Sequence, residues 1–236
     1  ADEEKLTVTA ILEYDRNSLE IRSSSFTKSL LKVRKRLTYN YADELIETPD
    51  QKDNEISKLL KELYRFTAAL KKLRMKKGRL DLDLSDFELN YTDGAFSGIS
   101  IAKRLRSHEI VEECMLAANQ AVAYYFKKCK VPGIYRVHEA ISAENMQKLK
   151  HFLALFNISV KSGGNIGVSL QGVIEKTKNS DYSYVVNMII LKSMMQAFYG
   201  TAALGHFGLG FKDYTHFTSP IRRYPDLLVH RILKAL

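Results

Sequence analysis

The chain is 236 residues long, 45% hydrophobic and 27% charged, the balance of a soluble globular protein with length enough for a sizeable core. Its formal charge of +9 favours polyanionic partners, nucleic acid or an anionic surface. The longest apolar tract, near Val185 to Leu191, is broken by Asn187 and is far too short to span a membrane.

The opening ADEEKLTVTAILEYD lacks the basic and apolar blocks of a signal peptide. Leu6 to Tyr14 predicts a strand, Asp15-Arg16-Asn17 a turn, and Ser18 to Phe26 a second strand. So abrupt a start in a hairpin is expected of a piece that begins inside a domain. A basic cluster, Lys32, Arg34, Lys35 and Arg36, then leads into Tyr39. An aromatic bracketed by cations suits stacking of a single-stranded base. Packing of a strand end into the core fits Tyr39 equally. Thr48-Pro49-Asp50 signals a turn and a helix start. Lys52 to Lys77 follows with one apolar face, Ile56, Leu59, Leu60, Leu63, Phe66, Leu70 and Leu73. The cations that end it, up to Gly78-Arg79, either complement the helix dipole or add to an RNA-attracting field.

Arg79 to Leu89 alternates and predicts a half-buried strand. Asp81 and Asp83 share one of its faces and Asp86 the other, so the three read as a solvent side rather than a metal site. A turn at Thr92-Asp93-Gly94 lets Ile99 to Lys103 pair back. Ser107 is the expected cap of the next helix, with Ile110, Val111, Cys114, Met115, Ala118, Val122 and Tyr125 inward. Cys114 and Cys129, the only cysteines, both fall on it, roughly 22 Å apart along its axis. That excludes a disulfide between them and a zinc-type cluster, and a reduced, cytoplasmic setting is expected. Glu112 and Glu113 point about 100° apart on the same helix, so at most one can serve a given site. A glutamate near a helix start ordinarily faces solvent or sits in a salt bridge; a carboxylate can also accept a ribose 2′-OH hydrogen bond, one way to tell RNA from DNA.

Ile134 to Glu139 predicts a short strand, whose Arg136 and His138 either face RNA or hydrogen-bond the strand end. Ser142 caps a helix with Met146, Leu149, Phe152, Leu153 and Phe156 inward. Helices near Val168 to Lys178 and Ser180 to Tyr199 follow, the methionines of the second reading as core filler. The chain closes on Gly205 to Arg231, GHFGLGFKDYTHFTSPIRRYPDLLVHR. There Ser219 reads as an N-cap and Pro220 as the first helical residue. Arg222 and Arg223 then fall in a first turn where the dipole disfavours cations. A bound phosphate would suit the free N–H groups and a guanidinium together. A solvated charged turn is the plainer alternative. The whole predicts an α+β protein, strands at the start and middle and a helix-rich second half.

HFTSPIRRYPDLLVHR is similar to the signature of the RNB exoribonucleases, the ribonuclease II and ribonuclease R family. RLTY at Arg36 to Tyr39, IVEE with Met115 and Ala118-Asn119, YRVHE from Tyr135, and GHFGLG from Gly205 resemble further family elements, in family order. The resemblance covers nearly the whole chain. It implies a partial RNB catalytic domain over 1–236, removing nucleotides hydrolytically from the 3′ end of RNA and releasing 5′-monophosphates. Arg222 would hold the scissile phosphate and stabilise its developing charge. Tyr39 and Glu112 would position the 3′-terminal nucleotide. Ser219 and Arg223 are also expected RNA contacts, although Arg223, Tyr224, Asp226, His230 and Arg231 read rather as braces of the helix. The implied cofactor is Mg2+, two ions activating water. The implied partner is single-stranded RNA, with an RNA helicase as the suggested protein partner and no membrane.

Two departures stand out. The position of Leu82 often carries phenylalanine in the family, which leaves half of a base clamp open to question. The family's metal-binding aspartates, D-x-x-x-x-x-D-x-D-D, belong upstream of the opening strands and are not in this sequence. The family's downstream OB-type RNA-binding domain is not in it either. The chain alone is therefore expected not to hydrolyse RNA. The alternative from another class is a non-catalytic single-stranded RNA-binding or scaffolding module. A helix-turn-helix DNA reader built on the last helix leaves the crowding of Arg222 and Arg223 beside Pro220 unexplained.

Overall fold

A computed structural model describes residues 3–48, 55–84, 87–102, 104–161 and 163–236. Pro49, Asp50, Lys52, Asp86 and Lys103, which figure in the expectations above, lie outside the described residues. The first two strands, β1 (Glu4–Tyr14) and β2 (Ile21–Lys32), form an antiparallel hairpin with Glu4 opposite Lys32. The second strand starts later than expected because the turn consumes more chain. Asp15 Oδ1 accepts from the N–H groups of Asn17 and Ser18, and Leu19 takes a φ of +55°.

Tyr39 does not end a strand; it opens a helix, α1 (Tyr39–Glu47). Thr38 caps it, its side chain accepting from Tyr41 N, a role Thr fills because its short hydroxyl reaches the free N–H groups of a first turn. α2 (Glu55–Lys76) packs against α1 and against α3 (Arg106–Cys129). Leu105, not Ser107, is the N-cap of α3. Ser107 is buried in its first turn, where its N–H donates to Asp43 Oδ1 and its hydroxyl to the Tyr39 carbonyl. Ile110 and Val122 of α3 are buried as expected, but Val111 and Cys114 are exposed, while Glu113, Leu116 and Asn119 are buried in addition.

Residues 79–84 form no strand and pair with none among the described residues. Their alternation is real, with Leu80 and Leu82 packed into the core. Asp81 N donates to Gln171 Oε1 and Asp83 N to Asn187 Oδ1, so side-chain amides take the place of a neighbouring strand. The strand itself begins at Phe87: β3 (Phe87–Thr92) pairs with β4 (Ala95–Ile101) through Asp93 and Gly94, both at positive φ.

The second half holds β5 (Tyr135–Val137), α4 (Ala143–Ala154), α5 (Ile166–Thr177), α6 (Ser183–Ser193), β6 (Phe198–Gly200) and α7 (Tyr224–Ala235). Ser142 caps α4 as expected, accepting from Asn145 N. Leu149, Leu153, Leu170, Val186 and Ile190 form the core of α4 to α6, closed by Leu80. Gly167 of α5 lies against Gly78: a Cβ there would clash with the Gly78 carbonyl oxygen. α6 stops six residues before the expected Tyr199, because Phe198–Gly200 leaves it to pair antiparallel with β5. A second core joins the hairpin to the C-terminus, with Val122 and Phe126 of α3 against Phe217, Val229 and Phe26. The architecture is α+β with a helix-rich second half. Among the described residues no helix is long and apolar enough to cross a membrane.

Candidate nucleic-acid interface

The last helix corrects the expectation most directly. α7 begins at Tyr224 with Pro225 in its first turn, and Ser219 is not its cap. A helix opened at Ser219 would have to run through Pro225, which has no N–H to give the Ile221 carbonyl and whose ring would clash with it. Pro220, Ile221 and Arg222 instead form a turn, in which the Ser219 carbonyl accepts from Arg222 N at 3.3 Å and Arg223 N at 3.1 Å. Buried Asp226 takes the place at the helix start reserved above for an anion. Its Oδ1 accepts from Ser219 N at 2.8 Å and Arg223 Nη2 at 2.7 Å, and its Oδ2 from Arg223 Nε at 2.9 Å. A carboxylate in the first turn also suits the dipole. Arg223 is thereby a brace, as one of the two readings of it held. Arg222 is exposed, and its guanidinium has no partner among the described residues.

The segment that carries this turn hangs from α3. Asn119, fully buried, accepts at Oδ1 from Phe217 N at 2.8 Å and Thr218 N at 3.3 Å, and donates Nδ2–H to the Tyr214 hydroxyl at 3.0 Å. His230 of α7 stacks on Phe217 and donates to its carbonyl at 2.9 Å. One amide and one imidazole thus fix the approach to Arg222.

Tyr39 reaches the same helix one end earlier. Its carbonyl accepts from Ser107, and its half-exposed ring lies 4.1 Å from that of His108. Glu112 follows His108 by four residues, hence on the same face and one turn along. The two adjacent glutamates part company as their 100° separation requires. Glu113 is buried between Arg74 and Arg79, its oxygens accepting from both. Glu112 is 41% exposed, one oxygen paired with buried Arg79 and the other with Arg104 at 3.3 Å. Arg79 therefore ties the structural carboxylate to the exposed one.

Asp81 belongs to this network rather than to a solvent face. It pairs with Lys71 at 3.0 Å and with Arg104 at 2.8 Å, while Lys71 also pairs with Glu109 at 2.6 Å. Burial alone would raise the Asp81 carboxyl, and the hydrogen bonds from Arg104 and Lys71 outweigh it, leaving it below the ordinary range. Leu82, the position in question for a base clamp, packs into the α4–α6 core.

The sequence offered no clear signal for a third feature, a cluster of imidazoles beside β5. The rings of His138 and His206 lie 4.9 Å apart, those of His206 and Tyr214 5.3 Å, and those of Tyr214 and His216 5.5 Å. Burial, with the charges of neighbouring groups added, lowers His206 to about 3. Burial and then Arg223 lower His216 to about 4. His206 Nδ1 and Thr218 Oγ1 are buried without a hydrogen-bond partner among the described residues. A separate groove of about 840 Å³ runs past Tyr14, Arg74, Tyr124 and His206; neither Tyr39, Glu112 nor Arg222 lines it.

No group of three His, Cys, Asp or Glu side chains among the described residues is placed to hold a metal ion. The carboxylates nearest that chemistry, Asp81, Glu109 and Glu112, are each matched to Arg or Lys. The residues present do not fit the Mg2+ pair that the resemblance implies.

The fold and these motifs have counterparts. The RNB domain model matches residues 1–236. Ribonuclease R of Thermotoga maritima is 35% identical over an aligned stretch of 237 residues that covers 98% of this chain and 33% of that protein. RNase R of Mycoplasma genitalium, solved in complex with ribose-methylated single-stranded RNA, superposes with a TM-score of 0.88 at 24% identity, over 98% of this chain and 37% of that one. Yeast Ssd1, a pseudonuclease, superposes with a TM-score of 0.76 at 21% identity, over 99% of this chain and 29% of that one. The chain spans about a third of the length of the curated relatives it matches.

Proposed function

This chain belongs to the RNB domain family, and from that premise we propose that it is the part of a 3′-to-5′ hydrolytic exoribonuclease that seats the 3′ end of single-stranded RNA. The observation that carries the reading is the common mounting on α3. Tyr39, Glu112 and the turn bearing Arg222 are held by residues of one helix, at Ser107, Glu112 itself and Asn119. Tyr39 offers a half-exposed ring for the terminal base. Glu112, pinned by Arg79 and Arg104, accepts from a ribose 2′-OH. Arg222 has no internal partner among the described residues, and its planar fork suits a phosphate better than a lysine's point charge. It holds the scissile phosphate and stabilises charge that develops there, from a turn rather than from a helix start.

Hydrolysis to 5′-monophosphates needs an activated water, and these residues bind and orient rather than activate one. On this proposal the Mg2+ ligands are aspartates outside this sequence, in a longer cytoplasmic protein that degrades RNA. This chain alone then binds RNA without cutting it. Incubation of the purified chain with Mg2+ and poly(A) tests that: no monophosphate release is expected, and robust release would refute it. Arg222→Ala should leave thermal stability unchanged within about 0.5 kcal/mol, since the side chain is exposed. In the complete enzyme it should lower turnover far more than binding, and unchanged turnover would remove Arg222 from the mechanism.

A second reading, a binder without chemistry, draws on the likeness to Ssd1, which is described as a pseudonuclease. The discriminating observation is whether the upstream aspartates are intact in the full-length sequence.

A further inference from the structure

The three-residue pairing of β5 with β6 places Arg136 opposite Tyr199, on the face away from buried Tyr135 and Val137. The Arg136 guanidinium lies over the Tyr199 ring, 4.8 Å from its centre. On the other side of β5 runs the stretch leading to Arg222: Arg136 N donates to the Tyr214 carbonyl at 2.9 Å, and the Thr215 hydroxyl donates to that of Ile134. His216 therefore comes up beside the same face, and its Nδ1 is 2.7 Å from the Tyr199 hydroxyl. All three side chains retain access to solvent.

The charges around this face are unbalanced. No carboxylate is in ion-pair reach of Arg136 among the described residues, whereas Arg79, Arg104 and Arg223 each have one. Arg136 adds its repulsion to the burial that keeps His138, His206 and His216 neutral. An unpaired guanidinium among neutral imidazoles is a field that an anion would satisfy. His216 also lies on the segment that continues, six residues further on, to the unpaired Arg222.

We propose that Arg136, Tyr199 and His216 form a second backbone contact, holding a phosphate of single-stranded RNA other than the one held by Arg222. It rests on the RNA reading above and extends it along the strand. Arg136 supplies the charge and is held over the Tyr199 ring, where its fork is pre-organised. The Tyr199 hydroxyl donates to His216 Nδ1, so the neutral ring carries its proton on Nε2 and donates it to the same phosphate. A neutral donor beside a fixed cation binds the anion without adding a second charge that would have to be neutralised.

The test is a titration of this chain with a fluorescein-labelled twelve-residue oligo(A), by anisotropy at several salt concentrations. Arg136→Gln should weaken binding about tenfold. It should also flatten the plot of log affinity against log salt by roughly 0.7, the single-strand value for one phosphate no longer neutralised. Arg136→Lys should keep the slope. His216→Gln should weaken binding about fivefold with the slope intact. Nitrogen-15 spectra of the imidazole should show the proton on Nε2 and a shift of that resonance with RNA. An Arg136→Gln chain with unchanged affinity and slope, while Arg222→Ala still weakens binding, would overturn this proposal alone. Failure of the unaltered chain to bind the oligonucleotide would overturn the RNA reading and the Arg136 site with it.

Discussion

Replacing Glu113 by alanine takes one carboxylate from between two buried guanidiniums. The side chains of Arg74 and Arg79 are 8% and 3% exposed, and Glu113 is 1% exposed. Removing one partner of a buried pair costs about 3–5 kcal/mol, because the remaining charge stays desolvated and unmatched. Arg79 keeps Glu112, and Arg74 keeps the face of Phe211 at 5.2 Å, so the expectation stays at one pair's worth, about 4 kcal/mol. That is a large share of the 5–15 kcal/mol typical of a domain, roughly. In urea, with a slope of about 2 kcal/mol per molar, the midpoint should fall by about 2 M. Glu112→Ala, one residue away and 41% exposed, should cost about 1 kcal/mol or less while weakening RNA binding. If Glu113→Ala unfolds within 1 kcal/mol of the unaltered chain, or both variants cost the same, the division of labour between the two glutamates is refuted (about 1 kcal/mol being the surface-pair ceiling).

Asn119→Ala should destabilise by about 2–3 kcal/mol, since it strands the buried Phe217 N–H, and it should weaken oligonucleotide binding by loosening the Arg222 turn; thermal unfolding and anisotropy read the two effects, and binding unchanged in a destabilised chain would uncouple them. Stability should also fall with acid. His206 is lowered to about 3 in the folded chain against about 6.5 unfolded, so between those values the unfolded state binds the extra proton and folding weakens as pH falls. From pH 7 to pH 5 this one group should cost about 2 kcal/mol, visible as a falling urea midpoint. His216, lowered to about 4 and partly exposed, should add less, because solvent screens it. A midpoint flat between pH 7 and 5 would contradict the burial of these rings.

What the sequence made legible is what local chemistry decides. Ser142 caps α4, the opening hairpin and the Asp93-Gly94 hairpin are present, and both cysteines lie on α3. Two of the misses share a cause: non-local partners took over. Residues 79–84 alternate like a strand and are satisfied instead by Gln171 and Asn187, roughly a hundred residues away in the chain. Glu113 faces inward because Arg74 and Arg79 neutralise it, which no apolar periodicity can register. The start of α7 has a local cause instead: Pro225 forbids a helix running from Ser219. Of the site, the identities of Tyr39, Glu112 and Arg222 came from motif likeness, while their shared mounting and the Arg136–Tyr199–His216 face exist only in three dimensions.

The mounting on α3 has a metric side. Ser107 and Asn119 are twelve residues apart on a regular helix, so the support for Tyr39 and the support for the Arg222 turn stand roughly 18 Å apart along its axis. Such a rod is stiff to stretching yet unforgiving of miscounting. One residue inserted between Glu112 and Asn119 would swing the second support through about 100° and lift it by about 1.5 Å. On the proposed function, the register between base seat and phosphate grip would therefore be stored as an integer, the number of residues in a helix, and it could slip only in whole steps.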